Sequence, residues 1–154
     1  MSLVSALNQP LTRLIVLLES LQSPLLLVFR LWVAEVFFRS GLHKINDWEQ
    51  TLLLFEYEYN VPLLPFEVAA YLATFGELLL PVILVLGIGT RLGAIALSVL
   101  NIVAVVAYYA TLAKVGQVTP HIFWGAMLLT NIIFGPGFFS LDHWLKSKVG
   151  SNTD

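Results

Sequence analysis

Arg30 and Glu77 each stand inside a segment otherwise apolar enough to cross a bilayer, where a charge at the centre costs about 3 kcal/mol or more. Such residues pair with one another or line a polar path. The first expectation is therefore an Arg30–Glu77 pair between two helices. A guanidinium can stabilise a reduced or anionic head group, and a carboxylate can exchange its proton. Together they would line a polar pocket for a quinone head group, or a proton path. The alternative is a buried ion pair that only fixes helix packing.

The neighbouring residues sharpen both readings. On the first helix Arg30, Phe37, Gly41 and Lys44 fall within about 40° of one direction at ~100° per residue, so a cation lies near each end of one stripe. Glu35 and Arg39, four apart on a different face, suit a local ion pair. On the second helix Ala70, Ala73, Glu77 and Pro81 follow at three- or four-residue steps with Gly76 adjacent, and small residues there let a neighbouring backbone approach. Pro81 frees the carbonyl of Glu77, four residues earlier. His43 and His121 are expected at one membrane face, where imidazoles could ligate haem or a metal, or exchange protons with a quinone. Two imidazoles do not specify a metal, so no metal site is assigned. Asn101 and Asn131 are expected to join helices by hydrogen bonds.

Four apolar runs must position these groups: residues 24–42, 66–88, 92–113 and 122–139. Each has about the 17–25 residues that a helix needs to span hydrocarbon. With 58% apolar and 12% charged residues and a mean hydropathy of +0.83, lipid is the expected solvent, since a soluble domain carries about 25% charge. The expected fold is all-α, a single integral membrane four-helix bundle over residues 1–154. Two further helices are expected at the interface. One covers residues 9–22, capped by Asn8 before Pro10, with Leu11, Leu14, Ile15, Leu18 and Leu21 at helical spacing, the alternative being a poorly ordered tail. The other, over 45–59, puts Trp48, Leu52, Phe55 and Tyr59 on one face and leaves Asp47, Glu49, Glu56 and Glu58 as a solvated acidic surface.

Eight Lys+Arg against ten Asp+Glu make nucleic acid an unsuitable partner. The absence of cysteine excludes disulfides, thiolate metal sites and thiol catalysis. The first twenty residues lack a basic n-region and a small-residue cleavage site, so the first span is expected to target the membrane itself. Loop charge places the N-terminus, Arg91, Lys146 and Lys148 on the more basic side. Both termini are therefore expected in the cytoplasm.

In order and spacing, these motifs resemble the DoxX family of small bacterial membrane proteins. Phe29-Arg30 and then Phe37-Phe38-Arg39-Ser40-Gly41-Leu42-His43-Lys44 are similar to its first-helix signature. Glu77, followed by Leu86-Gly87-Ile88-Gly89-Thr90-Arg91-Leu92-Gly93-Ala94, is similar to its second-helix acid and glycine-rich turn. Gly135-Pro136-Gly137-Phe138-Phe139-Ser140-Leu141-Asp142 resembles its closing motif. His121 to Trp124 and the proline-bordered outer loop resemble a subgroup associated with clusters making copper-responsive modified peptides. Asn101-Ile102-Val103-Ala104 stands where the family has a methionine-centred stretch.

The resemblance implies a bacterial inner-membrane protein, and its namesakes include a membrane subunit of an archaeal thiosulfate:quinone oxidoreductase. By that implication the chain is a quinone-facing subunit, incomplete as an enzyme alone and acting with a partner protein or as a homo-oligomer. Quinone is the cofactor implied, ahead of haem. Arg30 and Glu77 would then line the pocket, with Lys44, His43 and His121 at its outer mouth. Arg91 and Asp142 would pair on the cytoplasmic side, although Asp142, just after Ser140, equally suits a helix cap. A non-catalytic membrane anchor, whose buried charges serve packing, is the alternative, and a small transporter is a third class.

Overall fold

The computed structural model describes residues 3–59 and 61–150. Six helices follow in order: α1 Leu3–Asn46, α2 Trp48–Tyr57, α3 Phe66–Leu86, α4 Thr90–Lys114, α5 Val118–Phe134 and α6 Leu141–Gly150. The expected all-α membrane bundle is what the chain forms. Helices α1, α3 and α4 are each long and apolar enough to cross a membrane. The fifth, α5, is apolar but has 17 residues, about 26 Å of helix against a hydrocarbon layer of ~30 Å.

Helix α1 differs from expectation. No separate interfacial helix occupies residues 9–22, because the helix runs unbroken through Pro10 and Pro24. Pro24 faces outward, where its ring meets no neighbouring helix. It removes a single hydrogen bond, to Ser20, and the leucine-rich sequence around it continues the helix. The side chain of Asn8 lies outside the described residues, but the helix already starts at Leu3. At about 1.5 Å per residue its 44 residues reach ~66 Å. Residues 11–22 are all exposed.

The remaining ends have local causes. Asp47 caps α2, accepting from Gln50 N at 3.0 Å. Helix α3 starts after Pro65 and ends at Gly87, whose φ of 69° is left-handed. Ile88 N–H reaches back to the Ile83 carbonyl at 3.2 Å, the 6→1 bond of a Schellman ending. The fourth apolar run stops being helical at Phe134, five residues short of expectation, because Gly135 takes φ 81°, ψ −156° and Pro136 follows.

Helices α1, α3, α4 and α5 close a ring, with α1 antiparallel to α3, and α2 lies across α3. Val33, Phe37, Leu84, Ala94, Leu97 and Leu128 fill the centre. Phe55 of α2 packs on Ala69 and Ala70 of α3, as the apolar face of that helix requires. Outside, Leu25, Val28, Val82, Val99, Ile102 and Leu129 are exposed, the surface of a protein in contact with lipid. In lipid such residues supply no drive for helix association, so close packing and interhelical hydrogen bonds must hold the bundle.

Candidate functional site

The position of Gly41 decides which charges meet. A Cβ there would lie 2.9 Å from Leu78 Cδ2 and 3.1 Å from Glu77 Cβ, so α1 and α3 touch at this level. One turn further along α1, Lys44 Nζ donates to both Glu77 oxygens at 2.7 and 2.8 Å and to Ser40 Oγ at 2.9 Å. Ser40 Oγ in turn lies 3.2 Å from Glu77 Oε1. The pair is largely buried, with side-chain exposures of 15% and 9%.

Glu77 therefore pairs with Lys44, and the expected Arg30–Glu77 pair does not form. Arg30 precedes Gly41 by eleven residues, about 16 Å along the helix, which carries it to the opposite end of α3. It is fully buried there. Nη1 donates to the Leu84 carbonyl at 3.5 Å and Nη2 to the Phe139 carbonyl, while Nε has no partner. Gly87 makes room for it, since a Cβ at that position would lie 2.6 Å from Nη1.

The Lys44–Glu77 pair is set in the wall of a partly open cavity of about 540 Å³ lined by residues of α1 to α5. Phe37, Phe55, Ala73, Leu100 and Ala104 make most of the wall apolar. His121 and Trp124 line it from α5, with ring centroids 4.6 Å apart, and Trp124 meets Phe37 edge-on at 6.0 Å. Asn101 Nδ2 donates to the His121 carbonyl at 3.0 Å, which turns Asn101 Oδ1 toward His121 Nδ1, 2.7 Å away. The amide thus keeps the proton of a neutral ring on Nδ1 and leaves Nε2 as the acceptor. Asn101 joins α4 to α5 as expected. Asn131 does not join helices, because Nδ2 bonds to Met127 one turn back in α5.

Tyr59 and Tyr108 also line the cavity. Their rings meet edge-on at 4.6 Å, and Tyr108 Oη donates to Glu58 Oε2 at 2.7 Å. Helix α4 leaves helical geometry at Tyr108 (φ −125°, ψ 20°), where this bond ties it to the end of α2. Burial, with Tyr108, Glu77 and Glu58 nearby, pushes the Tyr59 hydroxyl up to about 12, so it stays protonated.

The other sequence-derived candidates lie elsewhere. His43 is exposed and does not line the cavity, so the two histidines do not converge. No group of three or more metal-ligating side chains exists among the described residues. Glu35 and Arg39 form the expected local pair at 2.5 Å. Arg91 does not meet Asp142; its Nη2 donates to the Ile133 carbonyl at 3.3 Å, a cation at the end of α5. Asp142 caps α4, accepting from Gly89 N at 2.8 Å, Thr90 N at 2.9 Å and Thr90 Oγ1 at 3.0 Å. Ser140 caps α6 in its place, accepting from His143 N at 3.1 Å. Burial alone would raise the Asp142 carboxyl, but these three bonds and Lys146 hold it below the usual carboxylate range.

Sequence reasoning missed Ser40, Tyr59 and Trp124 as members of one site. Ser40 and Lys44 are four residues apart and share a helical face with Gly41 beside them, which is a readable signal. Tyr59 and Trp124 carry none, because tertiary packing alone brings them to the cavity.

The family model of DoxX matches residues 25–110. The chain is also similar to an uncharacterized protein of Haemophilus influenzae, 33% identical over 128 residues that cover 79% of this chain and 83% of that protein. No solved structure matches.

Proposed function

The chain belongs to the DoxX family, and from that premise we propose that it is a quinone-facing subunit of the bacterial inner membrane, working with a partner protein and with both termini in the cytoplasm. One observation carries the reading. A mostly apolar cavity of about 540 Å³ holds a Lys44–Glu77–Ser40 cluster on one wall and His121 on another. Ligand pockets have this size, ~300–1,000 Å³, and this pattern of a few polar groups in apolar surroundings.

The residues present suit a ring with an oxygen at each end and an apolar tail. Lys44 and Ser40 can donate to an oxygen, Glu77 can hold or release a proton beside it, and His121 Nε2 can accept from a hydroxyl on the far side. When bound, a quinone supplies two-electron chemistry. The protein's part is to orient the ring and keep a proton carrier within reach.

Arg30 fits the packing role instead. It engages the carbonyls of Leu84 and Phe139 and joins α1 to the end of α3 and to the segment after α5, outside the cavity. The anchor reading therefore applies to Arg30, and the ligand reading to Lys44, Glu77 and His121.

Titration with decylubiquinone in mild detergent tests the proposal through tryptophan fluorescence. Saturable quenching that is lost in Trp124→Phe supports it. Quenching that never saturates, or that is unchanged in Trp124→Phe, contradicts it.

A further inference from the structure

The cavity reaches the outer surface of the bundle at one place. Among the described residues that line it, only Leu64, Leu72, Val99 and Val103 are exposed. All four are apolar, and none belongs to α1, α2 or α5. Leu72 on α3 is 55% exposed, and on α4 Val99 is 57% and Val103 38% exposed. A side chain that meets both the cavity and the outer surface stands at a mouth, so the mouth lies between α3 and α4.

The packing of these two helices explains that position. Near the turn that joins them a Cβ at Gly93 would lie 3.5 Å from Ile83 Cγ2, and further along a Cβ at Gly76 would lie 2.7 Å from Leu100 Cδ1. The helices are therefore in contact from the turn to the level of Gly76. One turn beyond that contact stand Leu72 and Ala73 on α3 and Val103 and Ala104 on α4, all in the cavity wall. Both α3 and α4 are long and apolar enough to cross a membrane. A bilayer core holds acyl chains and no water, so an apolar mouth between two such helices opens to hydrocarbon. The polar groups sit deeper, since Glu77 is 7% exposed. Ala73 is one turn of α3 from Glu77, so a substituent on a head group held by Glu77 and Lys44 runs beside a residue with only a methyl.

We propose that the hydrocarbon tail of the bound quinone leaves the cavity between α3 and α4 into the bilayer, with Ala73 and Val103 as the residues that select for it. The inference rests on the quinone reading and adds where the tail lies and which side chains set its room. The ligand is then a membrane-dissolved quinone with an alkyl or isoprenoid tail. A tailless, water-soluble quinone occupies only the end of the cavity at Lys44 and Glu77. Bulk added at Ala73 or Val103 crowds the tail and leaves the head-group end as it is.

Two quinones with the same ring test this, decylubiquinone and the tailless ubiquinone-0, each titrated in mild detergent through quenching of Trp124 in the same cavity. Ala73→Leu and Val103→Phe crowd the opening from its two sides. Ile102→Phe, beside Val103 but 60% exposed and outside the cavity, is the control. Each crowding variant should weaken decylubiquinone binding about tenfold, as overpacking of a filled site does, and leave ubiquinone-0 binding unchanged. Unchanged ubiquinone-0 binding also shows that the variant is folded, and Ile102→Phe should alter neither ligand. Decylubiquinone bound by both crowding variants as tightly as by the unsubstituted protein, or both quinones weakened to the same extent, overturns the inference and leaves the quinone reading standing. If neither quinone quenches saturably in the unsubstituted protein, the quinone reading itself fails and the inference falls with it.

Discussion

Gly41 lies against Leu78, and this contact sets the register that brings Lys44, rather than Arg30, to Glu77. The absence of a side chain on α1 thus selects the charge that reaches the cavity. Gly41→Leu should push α1 and α3 apart and cost about 1–3 kcal/mol through overpacking. Thermal unfolding in detergent should show a lower Tm together with loss of any ligand the cavity holds.

Lys44 and Glu77 should behave as one unit. Removing one partner leaves a buried charge unpaired, at a cost of about 3–5 kcal/mol. Lys44→Met and Glu77→Leu should each destabilise strongly, and the double variant should be clearly more stable than the sum of the two predicts. A double-mutant cycle by chemical denaturation measures the coupling. Strict additivity would show that the pair is not formed.

Arg30→Lys should destabilise the protein by about 2 kcal/mol, because a compact ammonium cannot serve two carbonyls with the spread of a forked guanidinium. Ligand content should not change once the variant is folded. Measuring both on one preparation separates the packing role of Arg30 from the cavity role of Lys44 and Glu77.

Asp142 gives a pH dependence. Its folded carboxyl lies below the ordinary range, so its stabilisation is fully present above the unfolded value of about 4 and fades as pH falls through the folded one. Asp142→Asn should cost about 1 kcal/mol at pH 7, as a lost helix cap does. The difference from the unsubstituted protein should shrink steadily below pH 4.

The all-α bundle of apolar helices, the apolar face of α2 and the unusual placement of Glu77 within an apolar helix could all be read from hydropathy, period and charge. The partner of Glu77 could not, because register depends on a contact between Gly41 and Leu78 that no linear pattern encodes. Proline was a misleading signal in α1. Pro24 sits on the outward face, where one missing hydrogen bond leaves the helix intact. Asp142 could be read as a cap, but the helix it caps starts 52 residues earlier, at Thr90.

Extraction and quantification of quinone from protein purified out of native membranes tests the central claim most directly, with Glu77→Gln and Arg30→Lys carried alongside. The account predicts close to one quinone per chain in the unsubstituted protein and in Arg30→Lys, and a large loss in folded Glu77→Gln. Quinone absent from all three, or retained equally by Glu77→Gln, would contradict it.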